Sequence, residues 1–177
     1  MPSAYLDTNI ISGLAKGEYS EEVASAFIEI TALSKRGALE LRTSELTAQE
    51  LQRIPPEYRR QHFIIYNLIK NIALKSELGH SNIVLGGMGS GNIVAYGLGQ
   101  PLPPKLIQEL EALIPVPLDP LRAEARSLDI SHLFQCKHAN IDYFLTEDHK
   151  TIIRYKLELE KLGLKVVSSL DLIDIVK

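Results

Sequence analysis

Ala4-Tyr5-Leu6-Asp7-Thr8-Asn9, near the start of the chain, is the stretch from which the fold can be worked out. Three residues that suit a buried strand are followed at once by three polar ones, which predicts a short strand that runs into a polar turn. Strands are also predicted at 39–43, 141–145 and 164–167, and helices from Ser20 to Gly37, around Glu50, and at 57–78, 129–139, 149–162 and 169–176, with Pro120 in the first turn of another. Strands that alternate with helices indicate an α/β protein, here a three-layer α/β/α fold with a central, mostly parallel sheet.

Polar residues follow two of these strands. Asp7 comes directly after the first strand, and Thr146 and Asp148 come after the strand at 141–145. The carboxyl ends of parallel strands meet at one edge of the sheet, where functional groups collect. We therefore expect Asp7, Thr146 and Asp148 to lie at the same edge.

The composition predicts a soluble protein of the cytoplasm with no membrane segment. A chain of 177 residues, 45% hydrophobic and 23% charged, suits one domain with a full-sized core. Its single cysteine, Cys136, excludes an intramolecular disulfide, and its first residues do not resemble a signal peptide. The uncharged stretch 82–104 contains six glycines and three prolines, which favours a loop or hairpin over a membrane helix.

Each acid also has a purely structural interpretation. Asp7 can cap a turn or helix, and Glu50 can form a capping box with Thr47 three residues earlier. Glu45 is a rival to Glu50, and because the two are five residues apart on a helix, only one is expected to face a site.

Asp129 is placed at the start of a predicted helix, where an N-capping role is the alternative to a functional one. Asp148 can likewise cap the helix that follows it. His132 lies one turn after Asp129 and shares its face, and such a histidine is more often a packing or hydrogen-bonding residue than a metal ligand.

The four acids taken together point to a metal site. Carboxylates brought close to one another repel, and this raises their pKa values. A divalent cation removes that cost, and Mg²⁺ or Mn²⁺ prefers oxygen ligands and needs few protein carboxylates when phosphate and water complete its shell. Such ions can activate water and stabilise the leaving oxygen of a phosphodiester.

Four blocks of the sequence resemble the signature blocks of PIN domains, in the same order and structural context. They are Tyr5-Leu6-Asp7-Thr8-Asn9-Ile10, Ser44-x-x-Thr47-x-x-Glu50-Leu51, Asp129-x-x-His132-Leu133 and Asp142-Tyr143-Phe144-Leu145-Thr146-x-Asp148. Many PIN domains are metal-dependent endoribonucleases, and many bacterial and archaeal ones are VapC-type toxins that are paired with an antitoxin. The resemblance implies a single PIN-like domain over 1–177, with an atypical insertion at about 55–118.

The resemblance also implies the roles of individual residues. Asp7, Glu50 and Asp129 match the three main metal-ligating acids, and Asp148 matches the fourth, often outer, acid. Asn9 and Thr146 match the polar supports of the site, and His132 is placed with them. The implied cofactor is Mg²⁺ or Mn²⁺, the implied substrate is RNA, and an antitoxin protein is an implied partner.

The middle of the chain is basic, whereas both ends are acidic. Residues 51–105 carry a net charge of +4, against −4 before them and −3 after them. RNA phosphates require cationic contacts, for which the candidates are Arg53, Arg59, Arg60, Lys70 and Lys75. The alternative is a solvated helix face, and the apolar faces of 57–78 and 79–104 are candidates for a homodimer interface.

Two other functions are weighed. A non-catalytic binding domain that keeps the fold is the first alternative. A haloacid-dehalogenase-like phosphatase also begins with an aspartate after its first strand, but it needs a second aspartate where this chain has Asn9. The glycine run 86–91 lacks the Gly-Lys-Ser/Thr of a phosphate loop and favours a flap or hairpin.

Overall fold

The fold is described from a computed structural model of the chain. It describes the backbone of residues 1–72, 74–78, 81–85, 93–97, 100–101, 104–115 and 117–177, and the side chains of 1–71, 105–115 and 117–177. The Gly86–Gly91 run, predicted to be a flap or hairpin tip, lies outside the described residues.

The described strands and helices alternate along most of the chain, as predicted for an α/β protein. The strands are β1 (Ser3–Leu6), β2 (Glu40–Ser44), β3 (Leu74–Leu78), β4 (Ser81–Leu85), β5 (Ile93–Gly97), β6 (Gln100–Pro101), β7 (Tyr143–Leu145) and β8 (Val166–Val167). The helices are α1 (Thr8–Lys16), α2 (Glu21–Lys35), α3 (Glu45–Arg53), α4 (Pro56–Ile72), α5 (Pro104–Leu113), α6 (Pro120–His138), α7 (Lys156–Lys161) and α8 (Ser169–Val176), with a short 3₁₀ helix at Ile153–Tyr155.

The central sheet has five strands in the order β3-β2-β1-β7-β8, and every neighbouring pair is parallel. The strand β1 is in the middle, where Tyr5 pairs with Arg42 on one side and with Phe144 on the other. All five strands therefore end at the same edge, and the residues after β1 and β7 become neighbours.

Helices cover both faces of the sheet, because alternate residues of each strand point to opposite sides. Leu6 and Leu145 pack in one core with α1, α2, α3, α4 and α8. Tyr5 and Phe144 pack in the other core with α5, α6 and α7, where Cys136 is also buried, as expected. The fold is therefore a three-layer α/β/α sandwich, which confirms the predicted fold class.

Several predicted helix boundaries are wrong. The helix predicted at 57–78 ends at Ile72, and β3 follows it as the edge strand paired with β2. Leu74 and Leu78 fit one face of a helix and equally one face of a strand, and pairing with β2 decides between the two. The polar turn predicted after Leu6 is in fact the start of α1.

The stretch 81–101 contains a second, antiparallel sheet in which β5 pairs with β4 and β6. This agrees with the hairpin interpretation of the uncharged stretch 82–104. Among the helices within the described part of the chain, none combines the length and apolar character that crossing a membrane requires.

Candidate active site

Asp7 lies at the junction of β1 and α1. It occupies the N-cap position of α1 without a well-aligned capping hydrogen bond, although the backbone N–H of Asn9 acts to lower the pKa of its carboxyl. Its Oδ2 accepts a hydrogen bond of 2.6 Å from the hydroxyl of Thr146, which follows the neighbouring strand β7. The pKa of Asp7 is raised to about 6, chiefly by burial and also by the charge of Glu50, against the lowering effect of His132 and Thr146.

Thr146 connects Asp7 to Asp148. Its hydroxyl oxygen accepts the backbone N–H of Asp148 at 3.1 Å while it donates to Asp7. The carboxylate of Asp148 accepts the backbone N–H groups of Lys150 and Thr151 at 3.1 and 2.9 Å. Asp148 therefore caps a turn. The predicted start of the next helix at His149 is wrong, because the 3₁₀ helix starts at Ile153 and α7 starts at Lys156.

Glu50 faces the site from α3. Its Oε2 lies 2.9 Å from Nε2 of His132, on α6. Burial acts to raise the pKa of Glu50, but the charge and hydrogen bond of His132 outweigh burial and lower it. Glu50 therefore bonds to a residue of the candidate site.

The predicted capping box of Thr47 and Glu50 is wrong. The helix α3 begins at Glu45, so Thr47 lies inside it, and its hydroxyl bonds to Thr43 at 2.8 Å. Thr47 also receives a hydrogen bond of 3.3 Å from Thr8, at the first position of α1. These hydroxyls join β2, α3 and α1 beneath the acids.

His132 is buried, with 1% of its surface exposed, and is bonded through both ring nitrogens. Its Nδ1 lies 2.6 Å from the hydroxyl of Tyr5, which also lies 2.6 Å from Ser44 and 3.3 Å from Gln135. Burial acts to lower the pKa of His132, but the charges and hydrogen bond of the acids, Glu50 first, raise it. His132 is therefore a hydrogen-bonding partner of Glu50, as in the alternative to metal ligation.

Asp129 faces the same region from the middle of α6. Its predicted N-cap role is wrong, because α6 begins at Pro120 and Asp119 is the cap. Arg126, one turn earlier, lies 3.3 Å from the Asp129 carboxylate. The pKa of Asp129 is raised to about 8, chiefly by burial and also by the charges of Asp7 and Asp148, against the lowering effect of Arg126 and His132.

These pKa shifts indicate which acids the fold brings together. Asp7 responds to the charge of Glu50, and Asp129 responds to the charges of Asp7 and Asp148. Asp7 therefore lies within electrostatic reach of Glu50 and Asp129, and Asp129 also lies within reach of Asp148. Within the described ranges, however, no group of three or more His, Cys, Asp or Glu side chains is arranged so that it could hold a metal ion.

The donor chemistry nevertheless fits Mg²⁺ or Mn²⁺. The four acids supply only carboxylate oxygens, which hard divalent ions prefer. As the side chains stand, Glu50 bonds to His132, Asp7 to Thr146 and Asp129 to Arg126. A site that binds an ion would have to turn some of these carboxylates away from their present partners.

Sequence reasoning missed Tyr19. Its hydroxyl donates to the backbone carbonyl and the side-chain oxygen of Asn9 at 2.9 and 3.1 Å, so it fixes the predicted supporting residue. Burial raises its pKa, and the charges of Glu147 and Asp7 add to the shift. Gly13 leaves the space that the Tyr19 ring fills. No sequence pattern marks Tyr19, because it lies between two helices.

The predicted RNA-contacting residues are spread over α3 and α4. Arg53 forms an exposed ion pair with Glu124, and Nε of Arg59 donates to the backbone carbonyl of Ile54 at 2.9 Å. Arg60 and Lys70 are exposed on α4, and the side chain of Lys75 lies outside the described residues. Arg53 and Arg59 therefore already have structural partners.

Comparison of the sequence with models of known protein families found no match, and comparison with curated proteins found none either.

Proposed function

We propose that this chain is a PIN-type endoribonuclease that uses Mg²⁺ or Mn²⁺ to hydrolyse RNA phosphodiester bonds. The observation that carries the proposal is the approach of Asp7, Glu50, Asp129 and Asp148 at the edge where β1 and β7 end, with the pKa of Asp129 raised to about 8. Such crowding of one buried and three half-buried carboxylates is unfavourable unless a cation is bound, and perturbed acids in one place are typical of functional sites.

The residues of the chain have separate tasks in this proposal. Asp7, Glu50 and Asp129 would hold the ion, with Asp148 directly or through water. When bound, a divalent ion supplies Lewis-acid stabilisation of the phosphate and lowers the pKa of water. Thr146 orients Asp7, His132 orients Glu50, and Asn9 is held by Tyr19.

The proposed partners are an RNA substrate and a protein that covers exposed apolar side chains of α4. RNA is the substrate, the cytoplasm is the compartment, and an antitoxin or a second copy of the chain would cover exposed apolar side chains. Tyr58, Ile64 and Leu68 of α4 are 62%, 50% and 51% exposed and are the candidates for such a contact. Mass measurement in solution, alone and with a co-expressed neighbouring gene product, tests this part.

Metal-dependent cleavage is the test of the function. Wild-type protein is expected to cut single-stranded RNA with Mn²⁺ and to stop when EDTA is added. Asp7→Asn is expected to abolish cleavage, because one ligand loses its charge, while circular dichroism stays unchanged. Undiminished cleavage by a clean Asp7→Asn preparation would remove Asp7 from the mechanism.

A non-catalytic binding domain is the second candidate. It is favoured by the lack, within the described residues, of a group of three side chains arranged to hold a metal ion. Titration calorimetry with Mn²⁺ separates the two candidates. Heat of binding that disappears in Asp7→Asn supports the nuclease, whereas no binding in the wild type supports the second candidate.

A further inference from the structure

Arg126 places a cation beside the four acids. It lies on α6 one turn before Asp129, and its Nη1 donates to Oδ2 of the Asp129 carboxylate at 3.3 Å. A strong charge-assisted hydrogen bond of this kind is about 2.7–2.9 Å long, so the contact with Asp129 does not saturate the guanidinium. Arg126 is not among the residues for which the sequence predicts a contact with RNA.

The guanidinium of Arg126 has unused hydrogen-bonding capacity. It carries several N–H groups, but among the described residues only Asp129 accepts a hydrogen bond from it. Its side chain is only 20% exposed. Nε is buried without a partner, whereas Nη2, which also lacks a partner within the described part of the chain, is not buried. A cation that is largely removed from water and has one long contact favours a second anion, and Nη2 is accessible to it.

The position of this guanidinium suits a phosphate of RNA. In the proposed function, Asp129 and the phosphate share one ion, so the phosphate lies next to the carboxylate that Arg126 contacts. The carboxylates of the site repel a polyanion, and the charge of Arg126 offsets part of this repulsion. A guanidinium is always charged and its planar N–H groups match phosphate oxygens, so arginine is well suited to this contact.

The cations predicted to contact RNA are less well placed for this task. Arg53 pairs with Glu124 at 2.5 Å, and Arg59 donates to the backbone carbonyl of Ile54. Within the described residues, neither arginine forms an ion pair with one of the four acids, as Arg126 does. The cation at the proposed point of cleavage is therefore Arg126.

We propose that Arg126 is a phosphate-binding residue of this site: its guanidinium donates to a non-bridging oxygen of the RNA phosphate that lies beside Asp129. The choice of RNA rests on the proposed nuclease function. The inference adds a cationic side chain to a set of proposed ligands that otherwise consists of acids.

The test is the salt dependence of RNA binding. A fluorescein-labelled short single-stranded RNA is titrated with the full chain at several NaCl concentrations, and fluorescence anisotropy gives the binding constant. A constant concentration of Ca²⁺ replaces Mn²⁺, and gel electrophoresis checks that the strand stays intact. Each phosphate contact on a single strand contributes about 0.7 to the slope of the logarithm of the binding constant against that of the salt concentration. Arg126→Gln should therefore reduce this slope by about 0.7, and Arg126→Lys, which keeps the charge, should retain it.

Arg36→Gln is the matched control. Arg36 is exposed at the end of α2, shortly before β2 starts, and therefore lies at the opposite edge of the sheet from the acids. Its substitution changes the net charge by the same amount and should leave the slope unchanged. The proposal is overturned by an unchanged slope in Arg126→Gln, by an equal loss in Arg36→Gln or Arg126→Lys, or by a wild type that does not bind the RNA.

A cleavage assay with Mn²⁺ beside the titration separates the two proposals. Arg126→Gln should cut RNA about 100-fold more slowly than wild type, because the phosphate loses a charged donor. Cleavage by wild type without any change of slope in Arg126→Gln overturns the role of Arg126 and leaves the nuclease proposal in place. The expected loss of slope without cleavage by wild type supports the phosphate contact and contradicts the nuclease.

Discussion

The imidazole of His132 lies between two chemically different neighbours, the carboxylate of Glu50 and the hydroxyl of Tyr5. The Tyr5 hydroxyl continues the network to Ser44 and Gln135. A buried group that loses its partner retains its desolvation cost, so removal of the ring affects both sides. The network thus connects Glu50, a proposed metal ligand, to the core in which Tyr5 packs.

His132→Leu is therefore expected to lower the free energy of unfolding by about 1–3 kcal/mol, because Glu50 and Tyr5 lose a buried partner. Urea denaturation monitored by circular dichroism measures the change. His138→Leu is the matched control, because His138 is exposed on the same helix. Equal stability of the two variants would contradict a structural role for the His132 contacts.

Asp129 is expected to destabilise the metal-free protein. Burial raises its pKa from 3.8 to about 8, so the folded state holds a proton that the unfolded state has lost between these values. Asp129 therefore has no destabilising effect below pH 4, where both states are protonated. The free energy of unfolding falls as the pH rises towards 8. Asp129→Asn in EDTA should therefore melt higher than wild type, and the gap should widen from pH 5 to pH 8.

A thermal melt series at several pH values measures this gap. We expect at least the 2–4 °C that about 1 kcal/mol produces in a chain of this size. Asp174→Asn, on the exposed side of α8, is the control and should follow the wild type. A lower melting temperature for Asp129→Asn at pH 8 would mean that Asp129 is stabilised as the anion.

At the scale of elements, α1 depends on a glycine that is unusual inside a helix. Alanine normally stabilises a helix interior by about 1 kcal/mol relative to glycine. At Gly13, however, an added Cβ would overlap the ring of Tyr19. Gly13→Ala is therefore expected to push the end of the Tyr19 ring aside and to weaken RNA cleavage, because Tyr19 no longer holds Asn9, while the free energy of unfolding falls by about 1 kcal/mol.

Chemical denaturation and a cleavage assay measure the two effects of Gly13→Ala. The control is the same change in a Tyr19→Ala background, where the added methyl group meets no ring and should be neutral or stabilising. If Gly13→Ala costs the same in both backgrounds, the Tyr19 contact is not the cause.

The strands β1 and β7 are also joined at their starts by Asp142. Its Oδ2 accepts from the backbone N–H and the hydroxyl of Ser3, both at 2.8 Å. The hydroxyl bond is the main cause that lowers the pKa of Asp142. Its contribution is therefore present above pH 4 and lost as the pH falls through the lowered pKa. Asp142→Asn should be less stable than wild type at pH 7 and equal to it in strong acid, as equilibrium unfolding can measure.

Elements were predictable where local pattern and long-range pairing agree. The strand at Leu6 and the helix after Ser20 were predicted, because an apolar run or a capping serine decides them locally; Ser20 accepts the N–H of Val23 as expected. The edge strand β3 was not predicted, because only its pairing with β2 distinguishes this segment from a continuation of α4. The single helix α6 was predicted as two helices, one from Pro120 and one at 129–139. No Gly or Pro lies between Pro120 and His138 to support such a break.

The acids of the site were predictable, but their partners were not. Residues that follow parallel strands share one edge of the sheet. This rule predicts that Asp7 and Thr146 are neighbours, and the two side chains form a hydrogen bond. The contact of Tyr5 with His132 joins residues 127 positions apart and lies on the side of the sheet where Tyr5 packs with α6. A single sequence holds no signal for such a contact, since its geometry depends on how α6 packs.

At the scale of the whole molecule, the proposed ion should contribute to folding stability. The four acids come from the junction of β1 and α1, from α3, from α6 and from the segment after β7, so an ion bound by them would connect both helical layers to the sheet. A ligand that binds only the folded state stabilises it by mass action, by about 2.7 kcal/mol at one hundred times its dissociation constant. The melting temperature of wild-type protein should therefore rise steadily with Mn²⁺ concentration.

Scanning calorimetry at constant ionic strength measures this dependence. Asp7→Asn should lose the rise, because the charge lost lies where the sheet and α1 meet, whereas Asp174→Asn should retain it in full. The Asp129→Asn variant gives a sharper criterion. It should start higher than wild type without metal and respond less to Mn²⁺, so the two curves should approach one another or cross. Parallel curves for wild type and both site variants would show that the ion binds elsewhere, and the acidic edge would then have no metal to explain its crowding.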